Sequence, residues 1–178
     1  MGILSGGGGI VVLCKKFIFG VFMMLFFVSA YSEQSHYDSE LYIFVSFSMP
    51  EQSLKLWAID AARLEIPLLL RGFVDNDLKK TTAKTMALFG EKANIELSID
   101  PEKFQKFNIK VVPAVVIAES ETAPSEKESA NDGSVPHFDV VYGDTSLEEA
   151  LKRIAKSGSS ESQKAAAHYL RKYRDQHE

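Results

Sequence analysis

The feature that most constrains this chain is the alternation of short apolar runs with segments of helical period. Leu41–Val45 is almost continuously apolar, the character of a strand buried on both faces. Leu54, Trp57, Ala58 and Ala61 then recur at three- and four-residue spacing, which gives the following helix one buried stripe. Ile66–Leu70 predicts a second strand. Leu78, Thr85, Met86 and Phe89 share one side of a second helix, with Asp75 or Asn76 as its cap and Gly90 as its stop. Ile95–Ile99 reads as a third strand, and Asp100-Pro101 opens a short helical turn carrying Phe104 and Phe107. Val115–Ile117 and Phe138–Tyr142 complete the strands. Thr145-x-x-Glu148 has the form of a capping box before a helix that carries Leu147, Ala150, Leu151, Ile154 and Ala155 on one stripe. Such alternation predicts an α/β domain with a mainly parallel sheet and helices on both faces.

Two regions do not fit that core. Residues 119–136 hold Glu119, Glu121, Glu126, Glu128 and Asp132 against Lys127, with two prolines, a composition that suits a mobile acidic loop. Residues 158–178 form either a helix, through Ala165, Ala166, Tyr169, Leu170 and Tyr173, or a solvated polar tail. A helix there would serve either the domain or a partner.

The amino-terminal region has the order of an export signal. Lys15-Lys16 precede the apolar run Phe17–Val28, and Ser29, Ala30 and Ser32 follow it. That run has about 12 residues against the ~20 needed to span a bilayer. Cleavage after Ala30 or Ser32 is expected, with residues 1–32 removed and the rest delivered to the periplasm. The glycines 6–9 ahead of the lysines are unlike a signal, which places the expected natural start near Leu13. The single cysteine, Cys14, precedes the run, whereas a lipidated cysteine would follow it. A net charge of −4 becomes more acidic when Lys15 and Lys16 are lost, and no basic face stands out, which argues against nucleic acid.

The candidate site lies at two short segments, Ser46-Phe47-Ser48-Met49-Pro50 after the first strand and Val111-Val112-Pro113 before another. In a thioredoxin-like domain the first position would hold a redox Cys-x-x-Cys and the second a cis-proline. Here serines stand where thiols would be, so disulfide chemistry is excluded and a binding role is expected. Ser46 and Ser48 lack a histidine placed near them by sequence, and a serine nucleophile needs such a base. Ser48-x-x-Glu51 explains them as a helix cap with Pro50 in the first turn. Met49 is expected at an exposed helix entrance, against either a partner or the Pro113 loop. Arg71 ends the second strand, at the edge where open α/β sheets place ligands; its plain alternative is a structural ion pair or bonds to loop carbonyls. Gly72 implies a backbone conformation or close approach that a side chain would obstruct. His137-x-Asp139 places two metal-ligand types on one strand face, too few for a site. No catalytic residue, metal or cofactor is expected.

Leu41–Pro50, Arg71-Gly72, Asp100-Pro101-x-x-Phe104 and Val112-Pro113-Ala114, in that order, resemble the TrbC family of F-type conjugative pilus assembly proteins over residues 40–157. The resemblance implies a periplasmic, thioredoxin-like protein of a type IV secretion apparatus that works with another periplasmic factor, TraW, and contacts pilin or other transfer-channel components. Ser46, Phe47, Ser48, Met49, Pro50, Arg71, Gly72 and Pro113 are the expected partner-binding surface. The rival expectation is a thiol-independent chaperone, isomerase or processing enzyme acting on pilin.

Overall fold

The computed structural model describes residues 39–90, 94–120 and 137–176. The proposed signal with Cys14 and the acidic stretch from Glu121 onward lie outside the described residues. Glu119 ends a strand rather than opening the loop.

Among the described residues the strands form a sheet in the order β3-β2-β1-β4-β5. β1 (Ser39–Val45), β2 (Leu68–Leu70) and β3 (Leu97–Ile99) run parallel, whereas β4 (Ala114–Glu119) is antiparallel to β1 and β5 (Phe138–Tyr142) is antiparallel to β4. The sheet is therefore mixed, not mainly parallel. An apolar run buried on both faces marks a central strand, and β4 is central and antiparallel, so its composition carries no sign of direction.

Around the sheet lie α1 (Glu51–Leu64), α2 (Leu78–Phe89), α3 (Pro101–Lys106), α4 (Leu147–Ser157) and α5 (Ser160–Asp175). Side chains alternate between the faces of a strand. Leu41, Ile43, Val45, Leu68, Leu70, Val115 and Ile117 meet Trp57 and Leu64 of α1, Leu88 of α2, Leu151 and Ile154 of α4, and Leu170 and Tyr173 of α5. On the opposite face Phe44, Leu69 and Val116 pack with Phe104, Phe107 and Ile109. Phe44 and Phe104 meet edge to face, with centroids 4.8 Å apart, a favoured aromatic geometry.

Helix caps fall one or two residues from their expected places. Asp77, not Asp75 or Asn76, accepts from the Lys79 and Lys80 N–H groups, because Asp75 and Asn76 are used in a 3₁₀ turn with φ of 49° and 55°. Asp and Asn tolerate that left-handed region better than most residues. Ser146, not Thr145, accepts from Glu149 N–H at 3.2 Å, because the helix begins at Leu147 and Ser146 is the residue just before it.

Residues 160–175 form a helix docked on the domain's own core. Lys172 Nζ donates to the Leu64 carbonyl at 2.9 Å, and Tyr173 Oη donates to Asp60 Oδ1 at 2.8 Å. The α4–α5 corner requires Gly158: a Cβ there would lie 2.8 Å from the Ile154 carbonyl oxygen, closer than a side chain tolerates. Beside it Asp139, paired above with His137 as a ligand type, is committed to the amino end of α5. Its Oδ2 accepts from Ser159 N–H at 2.8 Å.

Burial pushes the Asp139 carboxyl up, but bonds from the Ser159 backbone and the Ser162 and Ser159 hydroxyls outweigh it and hold the carboxyl below its ordinary value of 3.8. A carboxyl depressed in the folded state stabilises fully above its unfolded value and loses that contribution as pH falls through the folded one. Asp139→Asn should therefore lower the melting temperature at neutral pH and shrink its drop toward about pH 3. Thermal scans across that range test this; an acid limb identical to wild type would remove Asp139 from the acid response.

Candidate functional site

Strand register builds the site. Val45 pairs with Leu70, Leu70 with Ile99, and Phe44 with Ala114. The carboxyl ends of three parallel strands and the amino end of β4 therefore share one sheet edge. Ser46, Arg71, Asp100 and Pro113 stand one residue beyond those strands, so segments far apart in sequence converge. The Val112–Pro113 peptide is cis.

The Ser46–Pro50 segment is a turn, closed by Met49 N–H donating to the Ser46 carbonyl at 3.1 Å. Ser46 Oγ accepts from Ser48 N–H at 3.2 Å and lies 2.9 Å from Ser48 Oγ. The hydroxyls bond to each other, so Ser48 does not cap α1. Pro50 occupies the cap position, with no side-chain bond to the helix. Both serines shape the turn.

Two adjoining concavities flank this turn, where the sequence suggests one surface. The larger, about 660 Å³, lies between the turn and Arg71-Gly72-Phe73, with Lys84 and Lys110 on its walls. The smaller, about 310 Å³, holds Met49, Pro50, Pro113, Gly143 and Asp144. Ser48 and Val112 line both. Phe47, Arg71 and Gly72 thus share the groove, whereas Met49, Pro50 and Pro113 share the cleft.

Met49 is half-buried and packed on the main core, so it is less exposed than expected. Arg71 combines two contacts: its guanidinium donates to the Ile109 carbonyl and lies over the Phe104 ring, 4.9 Å from the centroid. It ties the end of β2 to the segment leading into Pro113. Gly72 corrects the expectation placed on it. A Cβ there would meet nothing within 4 Å, and its φ lies outside the left-handed region; the space above it is the groove.

Several lining residues escape a sequence reading. Lys84 Nζ donates to the Phe47 carbonyl at 3.2 Å and sits 5.5 Å from the centre of its ring. Thr81 is buried; its Oγ1 accepts from Val74 N–H at 2.8 Å and donates to the Asp77 carbonyl at 2.8 Å. That pair of bonds fixes the groove wall. Asp144 accepts from Ser53 Oγ at 2.5 Å and from Trp57 Nε1 at 3.3 Å, which anchors one side of the cleft to α1.

Asp100 seats α3 beneath Arg71. Its side chain accepts from Lys103 N–H at 2.8 Å, and Lys103 Nζ lies 2.8 Å from its other oxygen. Burial pushes the Asp100 carboxyl up, and these contacts with Lys103 overcome that and hold it below 3.8.

Residues 43–154 match the family described as "Type-F conjugative transfer system pilin assembly protein". That span runs from within β1 to α4 and includes every segment lining the groove. The chain is also 33% identical over 115 residues to "Periplasmic protein TrbC" of Escherichia coli (strain K12), covering 65% of this chain and 47% of that protein. It thus spans about half the length of that relative. No solved structure matches.

Proposed function

The chain belongs to the type-F conjugative transfer system pilin assembly protein family, and from that premise we propose that it acts in the periplasm as a non-enzymatic assembly factor for the conjugative pilus. It works by binding other transfer components through the groove and cleft around Ser46–Pro50. The observation that carries this reading is the family match itself, because the matched span contains the whole convergent edge of the sheet.

The scaffold is thioredoxin-like in arrangement. α1 follows β1 through the Ser46–Pro50 turn, Pro113 leads into the antiparallel β4, and α4 returns to the sheet after β5. Where such a scaffold carries thiols it does redox chemistry; here Ser46 and Ser48 bond to each other and the one cysteine, Cys14, falls within the proposed export signal, residues 1–32. What remains is an accessible concavity. A periplasmic factor of the TraW type is the first partner to test, with pilin second.

Cells carrying a transfer system that lacks this chain should lose surface pili and conjugative transfer, and the wild-type chain supplied separately should restore both, with its processed form in the periplasmic fraction. Normal piliation and transfer without the chain would overturn the assembly reading.

A further inference from the structure

We infer that the groove beside the Ser46–Pro50 turn takes an acidic peptide segment bearing an apolar side chain, an inference that rests on the assembly reading of the same surface. Arg71, Lys84 and Lys110 all line it. The carboxylate among its described lining residues, Asp75, is already paired with Lys80 at 3.0 Å. In a chain of net charge −4 this is a local reversal of sign, which concentrates anionic ligands.

Those cations remain available. Lys110 is exposed and pairs with no described carboxylate. Lys84 has one bond, to the Phe47 carbonyl, and an ammonium has three donors. Arg71 bonds the Ile109 carbonyl, which leaves other guanidinium N–H groups for a carboxylate. These backbone contacts also hold the two side chains in place before a ligand arrives, which reduces the ordering cost of binding.

Charge alone would suit any anion, but the walls are also apolar. Phe47, Phe104 and Val112 contribute, and Phe73 at the lip is 41% exposed. A site that pairs cations with aromatic and aliphatic surface favours a ligand with both features. The volume of about 660 Å³ suits a few residues of peptide.

The test uses the full-length protein and a fluorescent peptide that alternates glutamate with phenylalanine, read by anisotropy. Binding should weaken as salt rises, since a Debye length of about 10 Å at 0.1 M screens exposed charges. Replacing glutamate by lysine in the peptide should abolish binding, and replacing phenylalanine by alanine should weaken it. Lys110→Glu should raise Kd about tenfold, because an attraction becomes a repulsion, with thermal unfolding unchanged. Equal binding of the lysine peptide, equal displacement by inorganic phosphate or an oligonucleotide, or an unaltered Kd for Lys110→Glu would overturn the inference. The two readings fail separately. A chain that supports piliation but ignores acidic peptides sinks the groove chemistry alone; one that binds them while transfer proceeds without it sinks the assembly reading alone.

Discussion

Truncation after Gly158 is expected to leave a chain without cooperative thermal unfolding. α5 contributes Ala165, Ala166, Leu170 and Tyr173 to the main core, and it lies over β1, β4, α1 and α4. Burying Leu170 alone is worth about 1.5–3 kcal/mol, and its removal also uncovers the apolar face of the two central strands. Lost with it are the Tyr173–Asp60 bond and the Lys172 contact that closes the end of α1. The total exceeds about 5 kcal/mol, against a typical stability of 5–15 kcal/mol for a whole domain. The expected readout is a broad, non-cooperative melt with raised binding of a hydrophobic dye. A sharp transition near the wild-type temperature would mean that the segment is dispensable, as a solvated tail would be.

That helix illustrates what the sequence could disclose. Ala165, Ala166, Leu170 and Tyr173 have helical spacing, but they are flanked by enough charge that a docked helix and a solvated one read alike. The deciding contacts, Tyr173 with Asp60 and Lys172 with Leu64, reach across more than a hundred residues. Strands and helices with strong apolar period were legible in order, because burial imposes the pattern directly; the face of α2 was not, since Leu78 and Met86, expected on its packed side, are exposed and Thr81 and Leu88 are its buried residues. Cap positions were not, since Thr145-x-x-Glu148 and Ser146-x-x-Glu149 satisfy the same rule. Strand direction was hidden for a related reason: β4 is buried on both faces whichever way it runs. At the site, Ser46–Pro50, Arg71 and Pro113 were visible as segments flanking strands. Lys84 and Lys110 were not, because a lysine on a helix or loop is ordinarily a solvated charge, and only the fold sets these two beside Arg71 on one groove.

The structure also changes which substitutions can separate binding from folding. Arg71 holds the Ile109 carbonyl and covers Phe104, and Met49 packs on the core, so charge changes at either would disturb both. Lys110 lacks such ties and is the cleaner probe.

Trp57→Ala should destabilise the domain by about 3–5 kcal/mol, the range for removing a buried aromatic side chain, and lower the melting temperature by roughly 10–20 °C for a domain of this size. Trp57 is 3% exposed among the side chains of the main core, so truncation leaves a void that α1, α4 and the sheet cannot close without moving. Its indole N–H also donates to Asp144 at 3.3 Å, and Trp57→Phe separates the two contributions. Phenylalanine keeps most of the packing and loses that one bond, worth about 0.5–1.5 kcal/mol. Asp144 retains Ser53 Oγ and is exposed, so water can replace the indole and the cost should fall near the lower end. If instead Trp57→Phe costs as much as Trp57→Ala in matched thermal melts, the bond to Asp144 rather than packing dominates at this position. The cleft wall beside Pro113 would then be a determinant of the fold as well as part of the surface it presents.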